Sequence, residues 1–150
     1  MDQQNDTTSV LEKLIETCRD GQKGYQDASE HVKRPDLKTY FQTQSAERGK
    51  FADELQSELS RLSGSGKKES GSVSAALHRA WIDTKANLGA GDKSILDSVE
   101  QGEDAAKKAY GDATSGGKLD SGLATIVQRQ AENVRSAHDK VKAMRDQLAA

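Results

Sequence analysis

Four residues of this chain could share a metal ion if the fold brought them together: Glu47, Glu100, Glu103 and His138. Carboxylate oxygens and an imidazole nitrogen suit iron or manganese, and a carboxylate-bridged centre of that kind supports oxidase or iron-handling chemistry. Glu100 and Glu103 stand three residues apart, so on a helix both point to one side. The helical di-metal pattern needs more, namely Glu-x-x-His on two helices. Three residues before His31 stands Ala28, before His78 stands Ala75, and before His138 stands Arg135. Glu47 is followed at the required spacing by Lys50, which cannot ligate while protonated, and Arg48 adds positive charge beside it. The residues therefore point to no metal and no cofactor, with the iron or manganese set as the alternative.

Other chemistries find less to work with. Cys18 is the single cysteine. It can form no intrachain disulfide and no cysteine-based zinc site, and it reads as a small buried hydrophobe in a reducing, cytoplasmic setting. Serine, histidine and aspartate all occur, but in helical contexts without a nucleophile elbow. No glycine-rich phosphate loop follows a strand. His138 and Asp139 form an adjacent pair that reads as exposed and able to respond to pH. His78, Arg79 and Trp81 form a distinctive run in which Trp81 docks a helix and His78 and Arg79 rim it. No catalytic residue is assigned.

The elements that position these residues follow from composition and period. Charged residues make up 31% of the 150-residue chain and hydrophobic ones 33%, with a net charge of −2. Leu, Ile, Val and Phe supply 25 residues, about a sixth, which suits helices with narrow apolar stripes and wide solvated faces. No apolar run approaches the ~18 residues needed to cross a bilayer. The opening MDQQNDTTSV carries neither the basic start nor the apolar run of a secretory signal. Near-neutral charge argues against nucleic-acid binding; the compact basic run Lys67-Lys68 sits in a Gly/Ser stretch and reads as solvated linker.

Five segments show helical spacing. The first runs through Val10, Leu14, Cys18, Gly21, Tyr25, Ala28 and Val32, with a capping box at Ser9 and Glu12 and with Asp6 or Thr8 as other caps. Residues 1–6 are expected to be disordered. Pro35 closes this helix and starts the next, whose stripe is Leu37, Phe41, Gln44, Arg48, Phe51, Leu55, Leu59 and Leu62. A Gly/Ser-rich loop follows over residues 63–71. A shorter segment carries Val73, Leu77, Trp81, Thr84 and Leu88. Asp92 caps a fourth, with Ile95, Leu96, Val99, Glu103, Ala106, Tyr110 and Ala113 inward. Asp120 caps the last, with Leu123, Val127, Gln130, Val134, Ala137, Val141, Met144 and Leu148 inward. Short links make two antiparallel hairpins, and the shorter segment crosses over between them; a plain up-down array of five helices is the structural rival. The expected fold is all-α: one domain over 1–150, a ferritin-like four-helix bundle with a crossover helix, in which the second and fourth segments run parallel.

Three of the long stripes are interrupted at similar depth, by Arg48, Glu103 and Gln130. A lone charge inside a bundle costs several kcal/mol, so Arg48 and Glu103 must pair, with Gln130 completing a central polar layer. Gly21, Gly24, Gly49 and Gly102 fall near the same level and make room for the long Arg48.

The stretches SVLEKLIETCRDGQKGY, GSVSAALHRAWIDTK, EQGEDAAKKAY and AHDKVKAMRD resemble, in sequence and order, a bacterial family of uncharacterised four-helix-bundle proteins with a ferritin-like fold. The resemblance covers Asp6 to Ala149. It implies the fold and no established activity, and it transfers no catalytic residue; the missing Glu-x-x-His bars transfer of ferritin ligands. Ferritin-like relatives associated with bacterial stress responses make a stress-associated role an expectation by analogy. The expected function is a non-enzymatic bundle working through protein contacts, as a homodimer or with another protein. A metal-dependent oxidase and a small-molecule binding module using the glycine-lined centre are the alternatives.

Overall fold

The computed structural model describes residues 3–63 and 91–149. Nearly all of them lie in four long helices: α1 (Gln3–His31), α2 (Pro35–Ser63), α3 (Asp92–Ser115) and α4 (Ser121–Ala149). Among the described residues there is no strand, and no helix is long and apolar enough to cross a membrane. The expected segment from Val73 to Leu88, residues 64–71 of the Gly/Ser-rich loop, and His78, Arg79 and Trp81 lie outside the described residues.

Side-chain pairs fix the helix directions. Arg19 reaches Asp53 and Tyr25 packs on Phe41, so α1 and α2 are antiparallel. Tyr110 meets Gln130 and Arg145 meets Glu100, so α3 and α4 are antiparallel too. Between the hairpins, Thr7 at the start of α1 bonds the carbonyl of Lys118 just past α3, while Lys33 just past α1 bonds Asp92 at the start of α3. Arg129 with Glu54, and Lys140 over the Tyr40 ring, set α4 antiparallel to α2. It follows that α2 and α3 run the same way, and that Ser63 and Gly91 sit at opposite ends of the bundle.

The helix ends follow local chemistry, with two departures from expectation. Pro35 opens α2, where its missing N–H costs nothing. The Asp120 carboxylate accepts from the Leu123 N–H at 2.9 Å and caps α4. Asp92, expected to cap the helix it precedes, is instead the first residue of α3, behind Gly91 at φ 108°. Its carboxylate accepts from the backbone N–H groups of Lys33 (2.7 Å) and Arg34 (3.1 Å), tying the α1–α2 turn to the head of α3. The start of α1 also differs: residues 3–6, expected to be disordered, are helical. The buried Thr7 hydroxyl anchors the first turns by its 2.6 Å bond to Lys118.

Two apolar clusters form the core. One gathers Leu11, Leu14, Ile15, Phe51, Leu55, Leu59, Tyr110, Leu123 and Val127. The other gathers Tyr25, Val32, Leu37, Phe41, Ile95, Leu96, Val99 and Val141. Most stripe positions among the described residues are buried, with Val10, Gln44, Leu62, Met144 and Leu148 partly so, and α1 adds Leu11 and Ile15, both fully enclosed. Glu103 lies in sequence between Val99 of one cluster and Ala106 of the other, and Arg48 between Phe41 and Phe51. A polar layer thus divides the core across its middle.

The α4 cap gives a direct test. Asp120→Ala should lower the stability of the chain by about 1 kcal/mol in chemical denaturation, the usual cost of an N-cap aspartate. An unchanged midpoint would mean that the bond to Leu123 carries no net weight.

Candidate functional site

The polar layer is built on Glu103. Its Oε2 accepts from the Tyr25 hydroxyl at 2.5 Å and from Arg48 Nη2 at 2.5 Å. Arg48 is 1% exposed and Glu103 0%, so both charges are out of water and each depends on the other. The guanidinium carbon also lies 5.4 Å from the centroid of the Tyr25 ring, a cation–π contact. Burial works against the charge on Arg48, but the Glu103 carboxylate, joined by Tyr25 and Cys18, outweighs it and holds the guanidinium charged.

Gly21 makes this arrangement possible. A Cβ there would stand 3.0 Å from Arg48 Nη1 and 3.5 Å from its Cγ. The side chain of Arg48 occupies the volume that any other residue at position 21 would claim. Gly49 serves a neighbour instead, because its absent Cβ would lie 2.7 Å from Gln22 Nε2. The layer is not saturated. Arg48 Nε, Arg48 Nη1 and Glu103 Oε1 have no hydrogen-bond partner among the described residues, which marks places suited to ordered water.

Gln130 does not join the pair. The residue opposite it in the α3–α4 hairpin is Tyr110, whose hydroxyl donates to Gln130 Oε1 at 2.7 Å. Depth along antiparallel helices counts from their shared turn, and by that measure Gln130 lies two turns from Glu103. Gln130 instead donates to Glu54 Oε1 at 2.9 Å, and Glu54 pairs with Arg129 at the surface. Since Tyr110 spends its proton on Gln130, the Cys18 thiol, 3.0 Å away, donates to the Tyr110 oxygen. A one-directional chain of donors therefore runs from the buried thiol to a surface carboxylate. Burial pushes the Cys18 thiol up to about 11. Desolvation likewise raises Tyr25 and Tyr110 well above the ordinary tyrosine value, with Glu103 adding to the shift at Tyr25 and Cys18 at Tyr110.

The four residues singled out as a metal set are divided. Glu103 belongs to the core layer. Glu47 lies on α2, partly buried. Glu100 and His138 come together across α3 and α4, with His138 Nε2 3.8 Å from Glu100 Oε2. Asp104 joins them at 2.6 Å from the same nitrogen. Spacing does not single out Asp104, although it stands one turn beyond Glu100 and next to Glu103. The His138–Asp139 pair, expected to be exposed, is so only at Asp139. His138 is buried, and its Nδ1 lies 3.1 Å from Asp139 Oδ1. That contact, with burial opposing it weakly, holds the Asp139 carboxyl below the usual range. Tyr25 and Tyr110 were read as core positions; the signal that they carry the polar network is that a buried tyrosine hydroxyl needs a partner.

Residues 6–116 match the family model described as Domain of unknown function (DUF2383). The match includes Tyr25, Arg48 and Glu103 and ends before His138. No curated protein matches the chain.

Two measurements test the layer. Arg48→Ala should destabilise the chain by roughly 3–5 kcal/mol, because it strands the Glu103 carboxylate in the core, whereas the double change Arg48→Leu, Glu103→Leu should cost far less. Equal melting of the single variant and the parent chain would show the pair to be dispensable. Alkaline titration gives the second. Cys18 and the two tyrosines have raised folded values, so the native chain keeps protons that the unfolded chain releases above its ordinary values of 9.0 and 10.0. The contribution is fully present below pH 9 and is lost as pH rises, and Cys18 alone removes roughly 2–3 kcal/mol by pH 11. Denaturation midpoints that stay flat from pH 8 to pH 11 would contradict this.

Proposed function

We propose, from the premise that the chain belongs to the DUF2383 family of unknown function, that it is a ferritin-like helical bundle with a structural centre in place of a catalytic one, acting through contacts with protein. The observation that carries this reading is the Arg48–Glu103 pair. A di-metal bundle turns four carboxylates and two histidines toward its middle. Here the side chain reaching the middle from α2 is a guanidinium, and the one fully enclosed carboxylate among the described residues is bonded to it. Arg48 also fills the space left by Gly21, which leaves the small-molecule alternative without its glycine-lined room. The oxidase alternative draws on Glu103, whose Oε2 already serves Tyr25 and Arg48.

The ferritin-like part of the reading is supported by the parallel course of α2 and α3, which requires the intervening chain to join opposite ends of the bundle. A cytoplasmic, stress-associated role extends the analogy with ferritin-like relatives, and the single buried thiol fits a reducing compartment. For the contacts we take a second copy of the chain as the partner. A groove of about 170 Å³ between α1 and α3 has Leu14 and Ala109 in its lining, with Lys13, Asp112 and Lys118 at its rim. Mixed charge around the half-buried Val10 in this groove can accept a second copy.

Ferrous iron added under oxygen should oxidise no faster with the chain than in buffer, and sedimentation should reveal reversible dimers as concentration rises. Faster oxidation that His138→Gln leaves unchanged would overturn the structural-centre reading. A monomer at every concentration would overturn the choice of partner.

A further inference from the structure

At the rim of the bundle, away from the Arg48–Glu103 layer, α3 places Glu100 and Asp104 one turn apart, and α4 brings His138 against both. The His138 side chain is 9% exposed. Both its ring nitrogens meet carboxylates: Nδ1 is 3.1 Å from Asp139 Oδ1, while Nε2 is 2.6 Å from Asp104 Oδ1 and 3.8 Å from Glu100 Oε2. A neutral imidazole has one N–H. If Nδ1 donates to Asp139, the lone pair of Nε2 faces carboxylate oxygens; the other tautomer turns a lone pair on Asp139. Either way, an acceptor meets an acceptor at a buried ring, and a cation at the imidazole removes the conflict.

We propose that this cation is a divalent transition-metal ion, held by Glu100, Asp104 and His138. The three side chains offer one ligand atom each within 4.8 Å of one another, from two helices. One nitrogen and two carboxylate oxygens form a donor set suited to zinc, manganese or ferrous iron. Ligand atoms at bonding distances of ~2.0–2.2 Å in a tetrahedral site stand about 3.3 Å apart. The separations of 2.6 and 3.8 Å bracket that value, and Asp104, 60% exposed, can swing outward to meet it.

The surroundings match the second layer of a metal site. Asp139 on Nδ1 fixes the tautomer that turns Nε2 toward the ion, a carboxylate–histidine–metal relay. Arg145 holds Glu100 through Oε1, leaving Oε2 for the ion. Its positive charge, with Lys107 and Lys142 acting on Asp139, lowers affinity without taking up Glu100 Oε2 or Asp104. Three protein ligands leave a fourth position open to water at the exposed Asp104 side. An ion here clamps α3 to α4 and leaves the core pair untouched, so this site stands or falls independently of the structural-centre reading.

The full chain, stripped with chelator and titrated with zinc alone by calorimetry, should bind one ion per chain. Asp104→Asn and His138→Gln should each weaken binding by more than about tenfold, and Asp139→Asn by about tenfold through the relay; Glu47→Gln, outside the cluster, should bind as the parent does. Thermal melts of the metal-free variants separate lost ligation from lost folding. With manganese as a paramagnetic probe, amide broadening should centre on Glu100, Asp104 and His138. No saturable binding, or binding that Asp104→Asn and His138→Gln leave unchanged, overturns the proposal. Nitrogen NMR that finds both ring nitrogens of His138 still protonated at saturating zinc overturns it as well, and assigns the site to a proton.

Discussion

A guanidinium and a carboxylate share a hydrogen bond where the bundle is driest, and the rest of the interior is arranged around that fact. Neither charge can reach water: Arg48 is 1% exposed and Glu103 is fully enclosed. Desolvating two ions costs several kcal/mol each, a penalty that mutual attraction recovers only when the geometry is good and other groups help. Tyr25 supplies a second hydrogen bond and its ring face, and Gly21 leaves out the side chain that would displace the guanidinium. The apolar core is cut in two at this level, with leucines and valines packed above and below.

Much of this was legible in the residues, for physical reasons. Helical period repeats over many turns, so four long helices and their inward faces could be read from spacing alone, and Pro35 and Asp120 marked boundaries where their chemistry permits little else. A long cation and an acid interrupting two apolar stripes at equal depth forced the conclusion that they meet. Gln130 was harder. Its stripe break is as plain, but an error of two turns in register separates it from Glu103, and nothing local in a sequence reports register between helices. Asp92 was misjudged because a side chain at a helix start can serve its own helix or another, and spacing does not tell which. Glu100, Asp104 and His138 were obscured by composition: in a chain where 31% of residues are charged, an acid on a helix edge looks like any other until a second helix comes beside it.

The two polar regions differ in kind. In the core, the two charges cancel, and Glu103 Oε2 collects the donors of Tyr25 and Arg48. At the α3–α4 rim, Glu100, Asp104 and Asp139 gather around a buried imidazole, with Arg145, Lys107 and Lys142 acting on them. Fold alone does not predict which face of a helical bundle does chemistry.

The ownership of the central pair has a further consequence. Glu103 belongs to the second hairpin, while both groups that bond it, Tyr25 and Arg48, belong to the first. Each hairpin by itself would leave its ion facing water with no counter-ion. The pair forms, and its charges leave water, only when the two hairpins meet. Cooperativity, usually credited to the spread of hydrophobic contact, is here enforced by splitting a single charge pair between two units that are each incomplete alone.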